Sequence, residues 1–566
     1  MRKILPIAAA VWLAGACGEI SQVPGLPPDT TVSAGKGEAT TSGTPTMITD
    51  AAITNALIDL VQSKDTVKID LTQAAAGNPI GDMLNLGGPI GYTLRNRYLS
   101  PGIPLADALE RNPDPAFRVK LIELARWERD AETRAAALMA VAQAHDINDF
   151  DIFREALIHL DAGVRFGAFE ALMVWGHPEK SLPILEAAQD SRNEHEPILR
   201  VFAAGGLARL GDPKGLDVLR NFLDDPSWLV RAMAGRYLGD YGQKEDYDNL
   251  VGRLGNEQMN NFVLAEFCIA ALKLFPKKEA AADAAIEAEK KRRSAPAPPE
   301  PAPEASPTGI PDSASIMELE PLVVTTSRVK VEKLPPQAVL DPQINATLLR
   351  LLQNNMNNRP DSQAQMDASV GNLAQISTLD GYNLKTRYTQ LGFLLTEGLA
   401  GTTDYGLQTA LENAARQGKN VQIRAAAMVA LAYTRDMRYQ QLFQSAQIDT
   451  NITVRFGALE SLLITGDPSV QTLVGNSART DASQTLQTYA AAGMWKMGDI
   501  YGREILRRGI QDPNWLIRAM STHYIGELGG GDEYRLLMLQ LSNETEPMVK
   551  AELTGALLKL QKYKDE

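Results

Sequence analysis

Five histidines and two cysteines are the residues of this 566-residue chain best suited to metal binding, proton transfer or nucleophilic attack. His145, His159, His177 and His195 cluster in the first half, while His523 stands near the other end. Histidines beside carboxylates could activate a water, the chemistry of a hydrolase or lyase. The spacing does not organise them: there is no His-Glu-x-x-His, Walker loop, Gly-x-Ser-x-Gly elbow or Cys-x-x-Cys. Gly87-Gly88-Pro89 and Gly529-Gly530-Gly531 lack the Lys-Ser/Thr partner of a phosphate cradle and read as inter-helix turns. His159 falls on an apolar helix and reads as a packed or partly solvated residue. We therefore expect no catalytic residue, no metal and no cofactor. The alternative is an envelope lyase or hydrolase with a site hidden in the first half.

Charge narrows the partners. Lys plus Arg number 56 against 69 Asp plus Glu, a net −13, the wrong sign for a general nucleic-acid binder. Apolar residues at 44% and charged residues at 22% are those of an ordinary folded chain.

The elements that carry these side chains are written twice. Gly91-Tyr92-Thr93-Leu94-Arg95-Asn96-Arg97-Tyr98 returns as Gly381-Tyr382-Asn383-Leu384-Lys385-Thr386-Arg387-Tyr388, 290 residues on. Val164-Arg165-Phe166-Gly167-Ala168 returns unchanged as Val454-Arg455-Phe456-Gly457-Ala458 at the same offset. Asp225-Pro226-Ser227-Trp228 returns as Asp512-Pro513-Asn514-Trp515 at an offset of 287. Ile53, Leu57 and Leu60 are answered by Ile344, Leu348 and Leu351. Such self-similarity marks a tandem duplication, covering 48–276 and 340–566.

A shorter period runs inside each copy. Arg134, Arg165, Arg200 and Arg231 in the first, and Arg424, Arg455, Gln487, Arg518 and Lys550 in the second, recur every 31 to 35 residues. Between them, apolar residues at helical spacing, such as Val164, Ala168 and Leu172, form one stripe that Gly176 and Pro178 end. Asp-Pro, then Val-Arg, then Ala and Leu at helical spacing, then Gly-Asp resembles the HEAT-repeat, armadillo-like family of α-solenoids. The expected fold is all-α: two tandem α-solenoids of HEAT-like helical hairpins. No hairpin of this size buries its stripe alone, so neighbours must stack. In that family the basic residue pairs with a turn aspartate, which implies a structural ladder of Arg165, Arg231, Arg455 and Arg518, with Asp225 serving Arg231 and Asp512 serving Arg518.

Aromatics found in both copies are the candidate binding residues: Trp228 with Trp515 at the repeat ridge, and Tyr237 with Tyr524. Large rings bury area at small entropic cost. Tyr237 follows Val230 by seven residues, a spacing that also fits the core face.

The front and middle of the chain differ from the repeats. Arg2, Lys3 and an apolar run to Ala14 form an export signal over 1–16. Leu13-Ala14-Gly15-Ala16-Cys17 resembles a bacterial lipoprotein lipobox, which implies lipidation at Cys17 and a tether over 17–47; ordinary cleavage with Cys17 incidental is the alternative. Gly18 is not the aspartate associated with inner-membrane retention, so the expected place is the outer membrane, facing the periplasm. Cys268 reads as a small core residue. In the region 277–339, seven prolines between Pro296 and Pro311 favour an extended, flexible linker. At about 3.1 Å per residue, some 30 residues could part the solenoids by about 90 Å. Glu318-Leu319-Glu320-Pro321-Leu322-Val323-Val324-Thr325-Thr326-Ser327-Arg328 looks like a TonB box, which implies a possible strand-addition contact with a TonB-like protein.

Together these features describe a noncatalytic envelope scaffold or adaptor lipoprotein. Its two linked concave surfaces would bind protein partners in the periplasm with raised effective concentration. Contact with a cell-wall polymer through the aromatics is the other binding reading.

Overall fold

The computed structural model describes residues 51–62, 79–84, 86, 88–99, 104, 107–108, 114–256, 259–294, 341–357, 384, 387–388 and 390–564. Cys17, the prolines from Pro296 to Pro311 and the segment 318–328 lie outside them. Among the described residues there is no strand, and no helix is long and apolar enough to cross a membrane.

The first copy begins with α1 (Ala51–Gln62), α2 (Pro79–Leu84) and α3 (Gly88–Leu99), followed by hairpins of an outer and an inner helix. These pair α4 (Pro115–Trp127) with α5 (Ala131–Ala142), α6 (Phe150–Leu157) with α7 (Ala162–Val174), and α8 (Pro178–Ala187) with α9 (Pro197–Arg209). Then come α10 (Pro213–Phe222) with α11 (Trp228–Tyr241) and α12 (Lys244–Val251) with α13 (Asn261–Ser294). The second copy opens with α14 (Pro342–Asn355) and α15 (Leu391–Leu399). Its hairpins are α16 (Tyr405–Gln417) with α17 (Val421–Ala432), α18 (Gln440–Ala446) with α19 (Ile452–Thr465), and α20 (Gln471–Thr480) with α21 (Gln484–Lys496). The last two are α22 (Ile500–Gly509) with α23 (Trp515–Leu528) and α24 (Gly531–Asn543) with α25 (Pro547–Leu560). The fold is thus two tandem α-solenoids.

Local chemistry sets the helix limits. Asp161 and Asn451 stand at equivalent N-caps, each accepting a backbone N–H of the first turn. Asp212 caps α10 with Pro213 at its first position, as the Asp-Pro pattern requires. Gly211 and its counterpart Gly498 take φ of +85° and +88°, a left-handed turn that stops the preceding inner helix. α13 runs 18 residues past the module end expected at 276. Residues 277–294 are mostly Ala, Glu, Lys and Arg, strong helix formers, and they continue the helix past Pro276.

The inner helices stack on one another from α5 to α13 and from α17 to α25. Close approach is built in: a Cβ on Gly239 would stand 2.8 Å from the Cβ of Ala270, and one on Gly526 2.6 Å from that of Ala556. These equivalent contacts bring α11 onto α13 and α23 onto α25.

The two stacks are not separated. α13, the tail of the first, packs against α14 and α15, the head of the second. α25, the tail of the second, packs against α1, the head of the first. The array therefore closes into a ring. The contact of α13 with α14 recurs as that of α25 with α1, and Glu266–Arg387 recurs as Glu552–Arg97, after shifts of 286 to 291 residues, the reciprocal pattern of a pseudo-two-fold axis. The concave groove expected for the second copy is covered from within: α2 packs on α21 and α23, while α3 packs on α17 and α19. Leu384, Arg387 and Tyr388, the counterparts of Leu94, Arg97 and Tyr98, are buried. Enclosure explains why α19 is buried almost all round, a property of helices without a solvent face.

Candidate functional site

The candidate aromatics sit on this inner layer. Trp228 opens α11 and is buried; its ring lies 5.5 Å from Phe262 and 6.3 Å from Tyr388 of the second copy. Tyr237 is buried with its ring 6.4 Å from Phe202 and 6.5 Å from Tyr241. Tyr524 is buried against Tyr489 at 6.2 Å and His523 at 5.3 Å. Trp515 is half-buried on the edge of the same core. The structure therefore places none of the four as an exposed ring, and Trp228 meets Tyr388 from outside its own copy.

The repeated arginines tie each turn to the next. Arg165 donates Nη1 to the carbonyls of His159 and Leu160 and forms a two-pronged pair with Glu194 at 2.9 and 3.0 Å. Arg455 does the same with the carbonyls of Asp449 and Thr450 and with Asp481. Arg518 bonds the carbonyls of Asp512 and Pro513 and pairs with Glu544. Arg231 reaches the carbonyls of Asp225 and Pro226. The geometry corrects the expected partner: Asp225 and Asp512 offer their backbone oxygens, and their own carboxylates close the turn before the next helix by accepting the N–H of the N-cap residues Ser227 and Asn514. The paired carboxylate comes from the following repeat. Gln487 keeps half of the role, giving its amide N–H to the Asp481 carbonyl.

The histidines of the first copy are turned to the backbone. His145 Nδ1 lies 3.0 Å from the Trp175 carbonyl and His177 Nε2 lies 2.9 Å from the His145 carbonyl; His159, expected on a helix, lies half-buried in the turn after α6, where its Nδ1 accepts the Asp161 N–H. Among the described residues no group of three His, Cys, Asp or Glu is placed to hold a metal ion. Cys268 is buried with its thiol pKa pushed up by burial.

Charged residues missed by sequence reasoning hold the seams. At the first seam Arg387 pairs through two nitrogens with Glu266 of α13, the Nη2 contact being 2.7 Å, and through Nη1 with Glu397 at 2.5 Å. Lys273 lies 2.8 Å from Asp240 and 3.3 Å from Glu397, and Arg236 stands 4.0 Å from Asp240. At the second seam Arg97 pairs with Glu552 of α25, Nη2 at 2.8 Å, and with Asp107 at 3.1 Å. Lys559 pairs with Glu527 and lies 3.5 Å from Asp107. Arg236 has His523 as its counterpart, 3.4 Å from Glu552. Burial works against both seam carboxylates, yet Arg387 holds Glu397 down to about 2 and Arg97 holds Glu552 down to about 2. The sequence signal was the recurrence of Arg97 and Arg387 beside a tyrosine, together with single glutamates inside the apolar helices of residues 262–275 and 548–560.

A further buried carboxylate meets α3. Glu460 of α19 accepts the Ile90 N–H at 3.3 Å through Oε1, while its Oε2 has no hydrogen-bond partner. Burial pushes its pKa up to about 8, against a small opposing pull from the Ile90 N–H.

A family model of HEAT repeats matches residues 192–266, from the turn before α9 into α13. No curated protein matches the chain. Among solved structures it is similar to Kap121p at 13% identity, with a TM-score of 0.32, covering 89% of this chain and 49% of that one. Kap121p bound to RanGTP gives 12% identity, a TM-score of 0.30 and coverages of 90% and 52%. Human deoxyhypusine hydroxylase in complex with glycerol gives 15% identity, a TM-score of 0.21 and coverages of 62% and 96%. The chain spans about half the length of the Kap121p chains.

Proposed function

We propose that the protein is a noncatalytic scaffold or adaptor, exported and lipid-anchored at Cys17, that holds protein partners on the rims of a closed helical-repeat ring. The observation that carries the binding part is where apolar surface remains in water. The inner face of the second copy is occupied by the head of the first, whereas Trp127, Ile158 and Leu160 are 74%, 85% and 97% exposed. Trp127 ends α4, Ile158 and Leu160 follow the end of α6, and Arg126 pairs with Glu155 between these helix ends, so the three line neighbouring turns. Ile448, the counterpart of Ile158, is 86% exposed at the same place in the second copy. Ile158 and Ile448 place the same exposed side chain on one type of turn in both copies, and in the first copy Trp127 and Leu160 extend it into an apolar patch of the kind that marks protein-binding surfaces.

Crosslinking in intact cells, with and without Trp127→Ser, Ile158→Ser and Ile448→Ser together, tests the reading. Loss of the crosslinked partner with unchanged helical content supports rim binding; unchanged crosslinking overturns it. Anchoring is tested separately by Cys17→Ser, which should move the protein from membrane to soluble fractions. Removal of 318–328 should abolish crosslinks to TonB-like proteins if that segment makes the strand-addition contact.

A further inference from the structure

Trp127, Ile158 and Ile448 lie where outer helices end. On the opposite edge, where outer helices begin, the second copy carries another apolar row. Tyr405 opens α16, Met437 lies in the turn that opens α18, Pro468 in the turn that opens α20, and Ile500 and Tyr501 open α22; all five are exposed. Neighbouring turns are joined: Tyr405 interacts electrostatically with Arg438, and Gln440 Nε2 donates to Ser469 Oγ at 3.1 Å. The first copy has Pro115, Ile147, Pro178, Pro213 and Lys214 at these places, with Lys214 paired to Glu186. The aromatic row belongs to the second copy.

We propose that residues 316–324 of this chain dock, extended, along the row from Tyr405 to Tyr501. Residues 295–340 lie outside the described residues, but the points where the chain leaves and returns are placed. It leaves at Ser294, the end of α13, and returns at Asp341, whose carboxylate accepts the Tyr247 hydroxyl at 2.6 Å. Lys278 of α13 lies 4.1 Å over the same Tyr247 ring. Roughly 24 Å of helix, at 1.5 Å per residue from Lys278 to Ser294, therefore separates the exit from the return. The return is beside the row: Asn345, in the first turn of α14, donates Nδ2 to Asp404 Oδ2 at 3.3 Å, and Asp404 is the N-cap before Tyr405.

Length and chemistry fit this occupant. Ile316-Met317-Glu318-Leu319-Glu320-Pro321-Leu322-Val323-Val324 holds six Ile, Met, Leu or Val residues in nine, the densest such run between the two copies. Extended, it measures about 30 Å at about 3.3 Å per residue. Three hairpin steps of about 10 Å from Tyr405 to Tyr501 give the row about the same length. Residues 325–340 tie the run to Asp341 and reach at most about 50 Å, which covers the row from end to end. Such a tie holds the run near the row at an effective concentration on the order of millimolar, so weak apolar contacts suffice. The N-cap aspartates Asp404, Asp436, Asp467 and Asp499 are turned into the first helical N–H groups, and Arg435, Arg438 and Lys496 are exposed on the same edge, so Glu318 and Glu320 meet a balanced surface. Docking here and strand addition to a TonB-like protein use the same residues and exclude each other.

Hydroxyl-radical footprinting of the full chain tests the docking against a variant carrying Leu322→Asp, Val323→Asp and Val324→Asp, all outside the described helices. Oxidation of Tyr405, Met437 and Tyr501 should rise at least about threefold in the variant, as for a segment docked about two-thirds of the time or more, with Trp127 on the other edge unchanged. Equal rates in the two proteins, or a rise that Trp127 shares, overturn the proposal. A photoreactive group at Val323 gives an independent reading. Crosslinks within one molecule to the turns of Tyr405, Met437 or Tyr501 support the docking; crosslinks to the edge of Trp127, or only between molecules, overturn it. Neither measurement depends on partner capture, so failure of rim binding at Trp127 and Ile158 is read separately.

Discussion

The seam built by α13 and the seam built by α25 join the same kinds of elements through the same arginine, glutamate and lysine positions, yet they differ in charge balance. At the first, Arg236 completes a neutral set; at the second, His523 leaves one anion in excess. Duplication supplies the architecture twice, and a single side chain is enough to give the two copies different electrostatics. A buried ion pair is weak support for stability in itself, because desolvation offsets attraction, but breaking one side of it is costly.

The largest effects should come from the carboxylates at the centres of the seams. Glu266→Gln should cost about 3–5 kcal/mol, because Arg387 and its neighbours are left with excess buried positive charge. Glu552→Gln should cost less, since it removes the excess anion of its seam. Chemical denaturation of the two variants side by side checks the order, and equal losses would remove charge balance as the difference between the seams.

Glu460 gives the next effect. Its pKa rises from an ordinary 4.5 to about 8 on burial, so its contribution to stability is fully present below about pH 4.5 and is lost as pH rises to about 8. Glu460→Gln should stabilise the α3 contact at pH 9 by several kcal/mol, on the order of 1.4 per pKa unit, and should matter little at pH 4. Melting curves across that range decide it, and a pH-independent effect would contradict the buried neutral carboxyl.

Smaller losses are expected in the ladder. Arg165→Ala and Arg455→Ala should each cost about 1–3 kcal/mol, and by similar amounts, because both hold two carbonyls and one carboxylate at equivalent turns. Unequal losses would mean that the copies differ in their turns as well as their seams. Ile158→Ser and Ile448→Ser should change stability by less than about 0.5 kcal/mol while weakening partner capture. A large fall in melting temperature would move both side chains from the rim to the core.

The hairpins were legible because their information is local. Val164, Ala168 and Leu172 at helical spacing, Asp212-Pro213 at a helix start and Gly211 at a helix stop each act within a few residues. The ring was not legible, because it rests on pairs such as Arg97 with Glu552, 455 residues apart, which no local pattern specifies. Its traces were present: inner helices such as α17 and α19 carry apolar residues around most of their circumference, more than a solenoid with an open groove needs. Trp228 shows the same gap at the level of one residue. Its recurrence beside a helix start marked a contact, and the contact made from outside its copy is with Tyr388.

Closure of the ring is tested most directly by Ala108→Cys with Gly555→Cys. A Cβ built on Gly555 lies 3.9 Å from that of Ala108, within disulfide geometry, although the residues are 447 apart in sequence. Mild oxidation of the monomer should give an intramolecular disulfide between these two positions, mapped by peptide mass spectrometry, without unfolding. Failure to crosslink, together with small-angle scattering of two bodies held apart, would contradict the closed ring.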